Sequence, residues 1–162
     1  MAEDTQRIQP LALDSMHGRL ELVTLREVAG PRAASFAGGL RADGIIDVDL
    51  ERLQLASGQL EAITGRAVLR RIQVIGFGAT LPDIAITWDA ARAAQAPWSG
   101  RLRSLPGPLQ VSGTLEFPNG SGYRLLGQAI IRESSSELGR LLARLARRDA
   151  SGVFALELSG SW

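Results

Sequence analysis

"GPLQVSGTLEFPNGSGYRLLGQA" (Gly107–Ala129) alternates apolar and polar residues almost without interruption. Leu109, Val111, Leu115 and Phe117 fall on one side of an extended chain, and Gln110, Ser112, Thr114 and Glu116 on the other. Successive strand residues point to opposite faces, so a period of two marks a strand with one buried face. "PNGSG" (Pro118–Gly122) then gathers residues that accept turn dihedrals and positive φ. Tyr123, Leu125, Ala129 and Ile131 make the returning apolar face, while Leu126 and Ile130 join Arg124 and Gln128 on the opposite side. The stretch reads as a β-hairpin with partial cover on its second face.

The same period recurs on either side. "GRLELVTL" (Gly18–Leu25) opens the series, and "GIIDVDLERLQL" (Gly44–Leu55) sets Ile46, Val48 and Leu50 against Asp47 and Asp49. "GQLEAITGRAVLRRIQVIGF" (Gly58–Phe77) is rich in β-branched residues, with Gly65 as a bulge or break. "DIAITW" (Asp83–Trp88) turns Ile84, Ile86 and Trp88 the same way. In "AARAAQAPWSG" (Ala90–Gly100), Pro97 and Gly100 favour a connecting loop with a helical turn.

One segment carries a helical period. "ESSSELGRLLARLARR" (Glu133–Arg148) offers serine N-caps ahead of Glu137, and Leu138, Leu141, Leu142 and Leu145 recur at helical spacing. Arginines crowd its end, where they complement the helix dipole. "RDASG" ends the helix, and "VFALELSGSW" returns to strand with Phe154, Leu156, Leu158 and Trp162 on one face. The expected fold is mainly β: a curved antiparallel sheet with one amphipathic helix at about 133–148 before a closing strand.

Composition narrows the chemistry. The chain has 162 residues, enough for one domain that buries roughly 70% of its unfolded surface. Basic and acidic residues number 18 and 17, every basic residue is arginine, and nothing concentrates them as nucleic-acid binding requires. Zero cysteines exclude disulfides, thiolate metal sites and cysteine nucleophiles. No run reaches the ~18–20 consecutive apolar residues of a membrane-spanning helix. "MAEDTQRIQP" lacks the charged-then-apolar pattern of a signal peptide.

The candidate sites are sparse. Asp14, Ser15 and His17 stand together in "LDSMHG", but a serine triad draws its members from distant segments, and neighbours this close do not reach that geometry. His17 is the only histidine, so no multi-histidine metal site exists, and it reads as a surface or loop residue. Asp43, Asp47, Asp49 and Glu51 crowd one strand, yet Ile45, Ile46 and Val48 interrupt any calcium-loop spacing, which leaves the wet side of a sheet. "GFGATLPDI" (Gly76–Ile84) lacks the third glycine and the helix of a dinucleotide motif. An enzyme would need carboxylates from separate strands to converge, for instance Asp83 with Glu116. No catalytic, cofactor-binding or metal-binding residue is expected. The arginine-bearing helix reads as a leucine stripe buried on the sheet with solvated arginines outside, rather than a membrane-surface or acid-binding helix. Trp88, Trp98, Tyr123 and Trp162 are aromatic anchors for a core or an interface.

The last third carries a family pattern. "GPLQVSG" (Gly107–Gly113), a turn, "GYRLLG" (Gly122–Gly127), the leucine helix from Glu137 to Arg147, "DASG" (Asp149–Gly152) and "VFALELSG" (Val153–Gly160) follow in order. This arrangement resembles the C-terminal part of the type II secretion system protein N family. The resemblance implies a non-enzymatic accessory component of the machinery that exports folded proteins across the outer membrane. It implies an inner-membrane location with this domain in the periplasm, and partners among the secretin and the inner-membrane platform proteins. It also implies an N-terminal membrane helix, which this sequence lacks. The expectation is therefore a single periplasmic domain over 1–162, beginning near Ala2 after an added methionine.

Recognition through a sheet edge or an apolar face is the mechanism such a fold offers. The candidate partner-binding positions are Leu109, Val111, Leu115, Phe117, Tyr123, Leu125, Phe154, Leu156 and Leu158. A second copy of the chain is a further candidate partner. The alternative function is a periplasmic lipid-handling module with an apolar groove on the curved sheet, suggested by the two-sided apolar character of "YRLLGQAII" (Tyr123–Ile131).

Overall fold

The computed structural model describes residues 11–21, 35–36, 40–57, 59–89, 96–118, 122–132 and 136–161. Eleven strands form one antiparallel sheet. They are β1 (Leu11–Glu21), β2 (Ser35–Phe36), β3 (Leu40–Ala56), β4 (Gln59–Val74), β5 (Ala79–Thr80), β6 (Ile84–Trp88), β7 (Trp98–Ser104), β8 (Leu109–Phe117), β9 (Gly122–Ile131), β10 (Ala146–Arg148) and β11 (Phe154–Ser161). A single described helix, α1 (Ser136–Leu145), lies between β9 and β10. The main strand order is β1-β3-β4-β6-β7-β8-β9-β11-β10, with β2 on β3 and β5 on β4. Most neighbours in space are neighbours in sequence, as a meander of hairpins produces.

The expected hairpin is present, and its register sets Leu109 opposite Ile131, Val111 opposite Ala129 and Leu115 opposite Leu125. Its apolar side continues across the sheet. Ile86 lies between Ala67 and Leu102, and Phe154 lies beside Ala129. These residues share one core cluster with Leu138, Leu141 and Leu142 of α1. The helix thus covers the inner face at one end, touching β5 on one side and β10 and β11 on the other. The sheet wraps far enough to bring β2 against β11 without closing. Leu141 is only 1% exposed, and full burial of a leucine contributes about 1.5–3 kcal/mol.

Three expectations are corrected. The helix stops at Leu145 rather than Arg148, because Ala146–Arg148 pair with Phe154–Leu156 as β10. Past Leu145 the leucine stripe is exhausted, and the strand edge of β11 offers backbone partners that another helical turn would forgo. Residues 133–135 of the expected helix lie outside the described residues. "RDASG" is accordingly a hairpin turn: Asp149 Oδ1 accepts hydrogen bonds from Ser151 N, Ser151 Oγ and Val153 N, and Gly152 takes φ 87°. The connection expected over Ala90–Gly100 is shorter, since Trp98–Gly100 begin β7. The first strand starts at Leu11 and leaves the described residues after Glu21, so Leu22–Leu25 of the expected strand lie outside them.

Gly65 is a bulge site, as its sequence position suggests. It adopts φ +124°, and a Cβ there would stand 2.5 Å from the Asp49 carbonyl oxygen. The register of β3 on β4 shifts between Leu50 and Arg52, opposite Gly65 and Thr64. Across the next strand, Ser15 of β1 has φ 56° beside the same shift. The distortion therefore crosses three strands and converts inner-face spacing from two residues to three: Leu13 to Met16, and Leu50 to Leu53.

Candidate interaction surface

The inner face is apolar along its whole length but is not covered evenly. Near α1, Leu109, Val111, Phe154 and Leu156 are buried core residues. At the far end, Leu115, Phe117, Tyr123, Leu125 and Leu158 are only half-buried. The nine candidate positions thus divide into a packed group under the helix and an accessible row beyond it. β8 and β9 are interior strands with both edges paired, so they present a face and no free edge. β10 pairs β11 only at Phe154–Leu156.

Aromatic side chains shape the far end. The Trp88 and Phe117 rings stack with centroids 6.3 Å apart. Trp88 lies over Gly100, where a Cβ would come 2.6 Å from its indole nitrogen, and that buried N–H finds no acceptor among the described residues. Trp98 donates its indole N–H to the Glu61 carbonyl at 2.6 Å. β6 ends at Trp88, opposite Gly65, so Trp98 spans from β7 to the stretch of β4 that β6 no longer accompanies. Sequence reasoning placed Trp98 in a loop and missed this bridge; the tryptophan heading an alternating run was the available signal. Tyr123 packs over Gly160, and burial pushes its phenol above the ordinary value. Trp162 lies outside the described residues.

The outer face is an ionic lattice. Arg19 reaches Asp47 at 2.7 Å, Asp47 reaches Arg70 at 2.7 Å, and Arg70 reaches Asp83 at 3.1 Å, a chain across β1, β3, β4 and the approach to β6. Hydrogen bonds from Arg19 and then Arg70 hold the Asp47 carboxyl below the usual carboxylate value. Arg101 pairs with Asp89, and Arg124 with Glu157. The Arg70 pairs are part-buried, whereas Arg19–Asp47, Arg101–Asp89 and Arg124–Glu157 are solvent-exposed and each contribute little to stability. They fix which face is wet.

The residues singled out for chemistry lie in and around this lattice. His17 is a surface residue, exposed on β1, and its Nδ1 meets Asp49 at 2.7 Å. Ser15 takes φ 56° between Asp14 and His17, and the His17 ring pairs with Asp49 rather than Asp14. Asp47 is shared by two arginines, and among the described residues no three His, Asp or Glu side chains gather to hold a metal ion. Asp83 and Glu116 sit at opposite ends of β7 and do not converge. Gly76 and Gly78 form the tight turn between β4 and β5.

Comparison with known proteins extends the pattern read in the last third. The family model described as type II secretion system (T2SS), protein N matches residues 2–157, nearly the whole chain. No curated protein and no solved structure matches it. With its motif strands paired as one hairpin and its leucine helix seated on the same sheet, the chain belongs to the type II secretion system protein N family, and its role lies in type II secretion.

Proposed function

We propose that this chain is a non-enzymatic assembly domain of the type II secretion system, held at the inner membrane and displayed in the periplasm as a single domain. It recognises the periplasmic parts of the secretin or of the inner-membrane platform. The observation that carries this reading is the half-buried apolar row Leu115, Phe117, Tyr123, Leu125 and Leu158, beyond α1 on a sheet whose opposite face is ionic. Apolar and aromatic groups on a rigid sheet suit protein recognition, because little side-chain entropy is lost on docking.

Calorimetry of the chain with purified periplasmic domains of the secretin and of the platform tests it. Saturable binding to one of them is expected, weakened by at least about 2 kcal/mol, roughly thirtyfold in Kd, in Leu125→Glu. An unchanged circular dichroism spectrum shows that the variant is folded. Heat-free titrations with both sink the reading. The lipid-handling alternative rests on the same apolar row, and mass spectrometry of an organic extract of purified protein decides it.

A further inference from the structure

β1 is the outermost strand of the sheet, and among the described residues nothing pairs with its free edge. An unguarded edge of this length is a template for another strand. β1 carries no proline; its protection is the left-handed kink at Ser15 (φ 56°) and a set of charges. Its outer face presents Ala12, Asp14, His17, Arg19 and Glu21, and its inner face presents Leu13, Met16, Gly18 and Leu20. Leu13 is 36% exposed, the mark of an inner-face residue with no strand beyond it.

We propose that β1 pairs antiparallel with β1 of a second copy, about a two-fold axis through His17. With the kinked Ser15 left out of the pairing in both copies, residue 17 faces 17, 16 faces 18, 14 faces 19, 13 faces 20 and 12 faces 21. Every pair then joins outer face to outer face and inner to inner. Asp14 meets Arg19 of the partner copy twice, and Leu13 meets Leu20 twice. Arg19 already holds Asp47 at 2.7 Å, so the ionic chain on the outer face runs across the axis into the other molecule. A register centred on Met16 also preserves the faces and sets His17 against Asp14, but it places Arg19 against Ala12 and so exchanges both arginine–carboxylate pairs for histidine–carboxylate ones. A copy of this chain therefore complements the charges that guard the edge against an arbitrary strand. The inference stands apart from the secretion-component reading, since it concerns the purified chain alone.

The sequence has no cysteine, so an introduced one reports the register without background. Sedimentation equilibrium of the unaltered chain is expected to show a monomer–dimer equilibrium. His17→Cys then forms an interchain disulfide under mild oxidation, because facing residues of a strand pair lie within disulfide reach. Asp14→Arg, on an exposed side chain, raises the dimer dissociation constant roughly tenfold by opposing like charges across the axis. A chain that stays monomeric at every concentration overturns the proposal. So does a dimer that His17→Cys fails to cross-link, or one that Asp14→Arg leaves unchanged, since either pairs through another surface.

Discussion

Gly65 and Gly139 show how one residue type takes opposite roles within the same chain. Gly65 sits at φ +124° against the backbone of β3, so Gly65→Ala imposes about 1–3 kcal/mol of conformational strain before any clash is relieved. Gly139 lies in α1 with open space where a Cβ would go, so Gly139→Ala should stabilise the protein by about 0.5–1 kcal/mol. Urea denaturation of the two variants should shift the midpoint in opposite directions. The opposition is not written in the glycines themselves. Gly65 was legible as a break within an alternating run, whereas the kink at Ser15 was not, because serine carries no conformational signature. The spacing Leu13 to Met16 and Leu50 to Leu53 was the trace it left.

The helix and its exit hairpin depend on each other. Leu141 is packed on the sheet by the leucine stripe, and Leu141→Ala should cost about 2–5 kcal/mol, read from thermal or urea unfolding. The turn that follows is held by Asp149, whose carboxyl is kept below its usual value of 3.8 by hydrogen bonds from Ser151 first and then Val153. Folding therefore favours the ionised form. That contribution is complete above the unfolded value and is lost as the pH falls through the folded one. The gap in stability between the natural chain and Asp149→Ala should be constant from pH 7 to about 5 and shrink below about 4. A gap that persists unchanged at pH 2.5 contradicts this account of the turn. The alternation of β8 and β9 and the leucine period of α1 were legible because each is a local pattern. The end of α1 was not, since Arg147 and Arg148 suit a helix terminus as well as a strand, and only the available edge of β11 decides between them.

One sheet, one main core cluster and a helix bridging separate strands predict that the described residues unfold as one cooperative unit. Far-UV circular dichroism and tryptophan fluorescence should report coincident unfolding transitions, since Trp88 belongs to the same core as Leu141. Separate transitions would divide the sheet into independent units. The sequence by itself determined the strand alternation, the amphipathic helix, the absence of thiol and histidine-cluster chemistry, and the family pattern of the last third. Each of these is carried by residue type and short-range spacing, which exist before the chain folds. Tertiary structure alone decided which strands are interior, how far α1 covers the inner face, where the apolar row is left half-open, and that β1 ends the sheet among the described residues. Those depend on contacts between residues far apart in sequence, and a period of two reads the same in a central strand as in an edge.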